Sequence, residues 1–304
     1  MAWHCGGEKY GGRVEAAMKQ LFAMLLLCLL PLLGRAQDAP KPPSPYDSAH
    51  FSWRKPVPRN RLRELQPDRP GVTESPFTVD AGHVQLEIDA LRLINSGSGK
   101  AKQDREWHVA SSMLKLGLSR RTDLQLEMPL YSVAKQRPAG AKEWEERNAG
   151  FGDVTLRVKH NFLGDDQDGS LAVAVIGYVQ LPSGGAVGDG AVEYGLVLPI
   201  DIELSEKTNL EAQIETALNY DREQDRRFVH MMPSVALEYD FTKKIGLVAE
   251  GVAQWNTLQR RWEVSANIAP ILKLTENVQL DAGTHLALNR QTNHEYFVGL
   301  TLRR

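Results

Sequence analysis

Cysteine is nearly missing from this chain of 304 residues: there are two, Cys5 and Cys28, both ahead of residue 37. If that leader is removed, no thiol remains, which excludes a disulfide-stapled secreted module and a cysteine-ligated metal site. An excess of charge of either sign is also missing. The formal net charge is −2, from 36 basic and 38 acidic side chains, so nucleic acid is not indicated as a partner and neither is an acidic substrate. Long apolar runs are scarce. Apart from residues 21–33, none approaches the roughly 20 residues of a helix that crosses a bilayer, and the next candidate, residues 171–179, has about half that length. With hydrophobic residues at 42% and charged residues at 24%, a bundle of membrane helices is disfavoured. A porin-type barrel passes the same test, because only every second residue of its strands meets lipid.

The N-terminus carries a targeting pattern. Lys19, the apolar run 21–33 and the small-residue exit Gly34-Arg35-Ala36 before Gln37 describe a secretory signal peptide. The competing readings are a buried helix or an uncleaved anchor. Residues 1–17, rich in glycine and charge, do not fit the start of a signal, so Met18 is the expected start and 1–36 an extension plus signal. Cys28 lacks the small residues that precede a lipidated cysteine. Residues 37–70 are proline-rich and basic around 54–63, a composition for extended backbone that does not pack a core. They are expected to form a periplasmic leader, with an interaction arm as the alternative, and 71–304 to form the folded domain.

What is present after Gly82 is alternation. In residues 209–220, Leu210, Ala212, Ile214, Thr216 and Leu218 fall on one face, and Asn209, Glu211, Gln213, Glu215 and Asn219 on the other. A period of two places successive side chains on opposite faces of a strand, whereas a helix would scatter these charges around its surface. The same rhythm recurs at 123–130, 153–162 and 277–289. About twelve such segments can be counted, each longer than the five or six residues common in soluble sheets. Short turn-like links alternate with longer polar ones, such as 95–106, 136–150, 183–191 and 221–227. An all-β, transmembrane, antiparallel up-and-down barrel of about twelve strands predicts this, with both chain ends on the periplasmic side. In lipid every backbone donor and acceptor must be paired internally, so such a sheet has to close. Pro129, Pro199, Pro233 and Pro270 fall inside the expected strands, where they mark bulges or strand ends.

The face opposite the apolar one is rich in ionisable groups. Glu87, Asp89, Glu127, Arg157, Lys159, Glu211, Glu215, Glu250 and Asp281 are the candidate pore-lining residues. Two readings stay open for them: a hydrated lumen that selects a solute, or salt bridges that fill a narrow barrel. Three chemical motifs fail. Residues 184–190 are glycine-rich but lack the lysine of a phosphate-binding loop and lead into a strand, so an external loop is expected. Residues 165–169 resemble part of a calcium loop without its first and last ligands. His108, His160, His230 and His285 lie on strands without a local pattern naming a nucleophile; catalysis would need a serine within hydrogen-bond reach. No enzyme, cofactor or metal site is expected.

The segment Asp68-Arg69-Pro70-Gly71-Val72-Thr73-Glu74-Ser75-Pro76-Phe77-Thr78-Val79, followed by Gly82-His83-Val84-Gln85-Leu86-Glu87, resembles the lead-in to the first strand of an outer-membrane transporter-like family associated with the meta-pathway of phenol degradation. Gly150-Phe151-Gly152-Asp153-Val154, Leu181-Pro182-Ser183-Gly184 and Tyr296-Phe297-Val298-Gly299-Leu300 are similar to that family too. The resemblance covers roughly residues 68–304. It implies an outer-membrane barrel that moves small aromatic or other hydrophobic compounds. Such barrels usually end in an aromatic residue read by the assembly machinery. This chain ends Leu302-Arg303-Arg304, which puts that signal at Tyr296 and Phe297 or leaves assembly to tolerate its absence.

The expected function is therefore an outer-membrane channel for small molecules, with lipid, the solute and the assembly machinery as partners. The rivals are a closed structural or adhesion barrel acting through external loops, and a soluble periplasmic β-barrel binder.

Overall fold

The computed structural model describes residues 50–96, 103–164, 170–222 and 224–304, all within the compact unit Ser44–Arg304. The expected signal peptide with its start at Met18, and the acidic turn at 165–169, lie outside the described residues. The alternating segments form thirteen strands: β1 (Val84–Ser96), β2 (Gln103–Gly117), β3 (Thr122–Arg137), β4 (Glu145–Gly150), β5 (Val154–Leu163), β6 (Leu171–Leu181), β7 (Glu193–Ser205), β8 (Thr208–Asp221), β9 (Arg226–Asp240), β10 (Ile245–Asn256), β11 (Trp262–Thr275), β12 (Val278–Ala287) and β13 (His294–Arg303). Except for β4 and β5, each pairs antiparallel with its neighbours in sequence, and β1 also pairs with β13, so the sheet closes. The short β4 and β5 lie end to end on β3, which pairs with β5 over 122–127 and with β4 over 132–136. They make one interrupted stave, and the barrel has twelve. The expected loop 136–150 is thus shorter, because its second half rejoins the wall.

The internal prolines explain several irregularities. Pro129 lies between the two zones of β3 that pair with β4 and β5. On one side of Pro199, β6–β7 pairing skips from Val173↔Ile200 to Ile176↔Val197. Similar skips flank Pro233, between Val252↔Ser234 and Trp255↔Met231, and Pro270, between Ile268↔Thr284 and Ile271↔Asp281. A proline has no N–H to give, so each sits where one ladder lapses while the other continues. The strands run through these positions rather than ending there.

The two faces differ as the alternation requires. On β7, Tyr194, Leu196, Leu198 and Leu204 are exposed, while Glu193, Val197 and Asp201 are enclosed. The same outward apolar set runs around the wall, through Leu156 and Val158, Ile268 and Leu272, and Tyr296 and Val298. A band of this extent is not sustained in water and fits the hydrocarbon of a bilayer. This is an outer-membrane barrel, and the band is inconsistent with a soluble periplasmic binder. Val84 and Arg304 exchange backbone hydrogen bonds of 2.9 and 2.8 Å, so both barrel ends lie beside the short turns, on the side that is periplasmic in this architecture. Among the described residues no helix is long and apolar enough to cross a membrane.

Candidate functional site

Residues 50–83 do not lead straight into the wall. Val57 N donates to Ala81 O at 3.0 Å and Arg63 Nε to Asp80 Oδ1 at 2.8 Å, which folds the chain back at the periplasmic end. Between these points the chain enters the lumen. The first strand starts only at Val84, so the stretch Asp68–Val79, expected as its lead-in, is a luminal segment instead. An irregular segment has no ladder of its own, so its backbone groups need outside partners. The wall supplies them from its inward polar side chains.

The contacts cross the lumen. Asp68 N and Arg69 N donate to the Glu87 carboxylate of β1 at 3.2 Å each. Asp68 itself accepts from Lys115 Nζ of β2 at 2.5 Å and from Lys159 Nζ of β5 at 2.6 Å, and Lys115 also pairs with Glu87. On the far wall, Val72 N and Thr73 N reach Glu250 of β10 at 3.0 and 2.5 Å, Thr73 Oγ1 meets Ser234 Oγ of β9 at 2.7 Å, and Glu74 N donates to Gln213 of β8 at 2.8 Å. Glu74 returns to β5 through an ion pair with Arg157. Asn161 Nδ2 then donates to Pro76 O at 2.9 Å, and Val79 N to Asp123 Oδ2 at 3.0 Å. Burial alone would raise the carboxyl of Asp68, but the ammonium groups of Lys115 and Lys159 override it and hold the group below the usual carboxylate range. Ion pairs this enclosed add little net stability over apolar packing, yet removing one partner is costly, so they fix where the segment sits.

Arg69 shows how the wall is shaped for its guest. Asp89, Gly299 and Asp281 stand side by side on β1, β13 and β12. Arg69 Nη2 donates to Asp281 Oδ1 at 2.6 Å and its Nη1 to Asp89. A Cβ on Gly299 would collide with the guanidinium, so the missing side chain leaves the space that Arg69 fills. Gly299→Val should displace Arg69, leaving Asp281 unpaired and Asp89 with Arg92 alone. Amide exchange of residues 68–75 is expected to accelerate about ten-fold or more, corresponding to about 1.4 kcal/mol or more, while exchange in β7 and β8 stays unchanged.

The structure places seven of the nine expected lining residues around this segment. Glu87, Asp89, Lys159, Arg157, Glu250 and Asp281 bind it directly, and Glu127 stands 3.5 Å from Arg157 Nη1. Two stand apart: Glu215 accepts from Tyr178 Oη at 2.5 Å, and Glu211 lies opposite Asp201 across β7 and β8. Asp68, Arg69, Thr73 and Glu74 of the segment, with Lys115, Asp123 and Gly299 of the wall, were not among the expected site residues. The one pointer to them in the sequence is a charged Asp-Arg-Pro-Gly stretch inside an otherwise basic, proline-rich leader.

A serine does come within reach of a histidine. Ser132 Oγ and His108 Nδ1 are 2.9 Å apart, directly opposite across β2 and β3, and His108 Nε2 is 3.4 Å from Glu106. Ser132 is buried, so the pair is placed as a cross-strand hydrogen bond. The glycine-rich loop 184–190 folds onto Asp153, which accepts from Gly184 N at 2.5 Å and Asp189 N at 2.7 Å. It lies at the end of the barrel opposite Val84 and Arg304.

A family model described as "Putative MetA-pathway of phenol degradation" matches residues 67–302. The chain belongs to this family. The match begins just before Asp68, so the family pattern takes in the luminal segment together with the wall. Among solved structures, the COG4313 outer membrane channel from Pseudomonas putida F1 is similar at 14% identity, over 77% of this chain and 97% of that one, with a TM-score of 0.52. This likeness shows a shared fold. A NanC porin (11% identity, 70% and 99% coverage, TM-score 0.42) and a KdgM porin (8%, 72% and 98%, 0.44) also match. No curated protein matches the chain.

Proposed function

We propose that this family member is a small-molecule channel of the outer membrane, closed at rest by its own N-terminal segment, with small aromatic or other hydrophobic compounds as its solutes. The observation that carries this reading is the nature of the closure. The wall does not fill its own lumen; it keeps an inward polar face around space wide enough for a stretch of polypeptide. That stretch is seated by side-chain contacts that can be exchanged for water, unlike the backbone ladders of the wall. The solute class rests on the family description, and the charged inner face alone would not suggest it. The test is uptake of phenols and aromatic acids by cells with and without the protein; equal uptake at limiting external concentration would remove the solute assignment. The filled lumen also favours a second reading, a closed barrel acting through its external loops. A barrel whose segment has been unseated and which still passes neither ions nor solutes would support that alternative.

A further inference from the structure

A cavity of about 200 Å³ lies at the periplasmic end, between the luminal segment and strands β7 to β9. Asp201, Glu203 and Glu238 of the wall border it, with Glu64 and Phe77 from the segment side. Lys273, which also reaches it, is engaged by Asp240 at 3.1 Å and by Glu64 at 3.3 Å, and Lys207 borders it from the β7–β8 turn. Asp201 is only 4% exposed, and its Oδ2 has no hydrogen-bond partner among the described residues. Directly across the β7–β8 ladder stands another acid, Glu211. Carboxylates facing each other across a ladder repel, and a buried one without a partner is costly. Six acidic side chains line the cavity against these two lysines, and among the described residues no cation pairs with Asp201.

We propose that this cavity binds a small organic ammonium ion, with Asp201 as the charge partner and Phe77 as an aromatic wall. A metal ion fits less well, because among the described residues no three acidic or histidine side chains converge on one point. An ammonium tolerates a diffuse ring of carboxylates and gains from an aromatic face. At about 30 Å³ per water in the liquid, the cavity has room for roughly six heavy atoms. The site is part wall and part segment, so an occupant bridges the two and favours the seated form. This inference stands whether or not the barrel passes aromatic solutes.

The test is calorimetric titration of the whole folded protein in detergent with 1,4-diaminobutane at neutral pH and 0.15 M NaCl. The expected result is saturable binding of one molecule per chain. It should weaken at least ten-fold in Asp201→Asn and persist in Asp225→Asn, a change in the external β8–β9 turn. If Asp201→Asn does not fold, Phe77→Leu replaces it, with a several-fold loss expected. Absence of saturable binding overturns the proposal, since the acids would then share protons among themselves. So does binding that both aspartate variants leave unchanged or weaken equally, which would mark a diffuse surface effect.

Discussion

Asp68→Asn is expected to unseat the luminal segment. The wild-type carboxylate takes both Lys115 and Lys159, at 2.5 and 2.6 Å, and also accepts from Ser75 N at 3.0 Å. Lys115 keeps Glu87, but the Lys159 side chain, 0% exposed, retains only the neutral Ser75 carbonyl and has no water to turn to when that charge is removed. Leaving a buried charge without its partner costs about 3–5 kcal/mol. At about 1.4 kcal/mol per factor of ten, the equilibrium between seated and released segment shifts by a hundred-fold or more toward release. Planar-bilayer recordings should show a large rise in open probability or conductance for Asp68→Asn. The pH dependence follows with a definite sign. A carboxyl held below its unfolded value contributes stability that is present above that value and is lost as pH falls through the lowered one. The contribution of Asp68 to closure should therefore persist down through the ordinary carboxylate range, near pH 4, and fade only below it. Opening already complete at pH 5 would contradict this role for Asp68.

Leu198→Arg should destabilise the barrel in lipid by about 2–4 kcal/mol, the cost of an arginine near the bilayer midplane on the outer face of a barrel. Leu198 is exposed and lies at the middle of β7. Leu204, exposed near the periplasmic end of the same strand, provides the control, since the cost falls to about 0–1 kcal/mol near the interface. Unfolding titrations in vesicles, followed by tryptophan fluorescence, would measure both. Equal effects at the two sites would mean that the apolar face does not cross a bilayer.

The wall was legible because its rule is local. Alternation in residues 209–220 assigns Leu210 and Ile214 to lipid and Glu211 and Glu215 to the lumen without knowledge of any other strand. It misleads where the rhythm slips. Counting by twos from Glu87 would turn Arg92 outward, but Ala90 and Ala110 both drop out of the β1–β2 pairing, with Ala110 at φ 53°, and the shift brings Arg92 inside. There its Nε meets Asp89 at 2.8 Å and its Nη1 meets Glu295 at 2.7 Å. The luminal segment was not legible, because it has no period. Its partners also lie far along the chain: Arg69 to Asp281 spans 212 residues, and Thr73 to Glu250 spans 177. Read alone, Asp68-Arg69-Pro70-Gly71 looks like ordinary linker. Of the two readings left open for the inward charges, the structure shows salt bridges that fill the barrel. The filling comes from residues 68–79, across the expected boundary between leader and barrel, while the wall provides the matching charges.

The most direct measurement is a reversible lock between segment and wall. The Thr73 and Ser234 hydroxyls are 2.7 Å apart, so Thr73→Cys with Ser234→Cys places two thiols within bonding reach. With Cys5 and Cys28 replaced by serine, no other thiol competes. The disulfide should form spontaneously on oxidation and hold the barrel silent in a planar bilayer, even when combined with Asp68→Asn; reduction should then restore the current. A folded barrel whose two cysteines never join, or one that conducts equally oxidised and reduced, would show that residues 68–79 do not close this lumen.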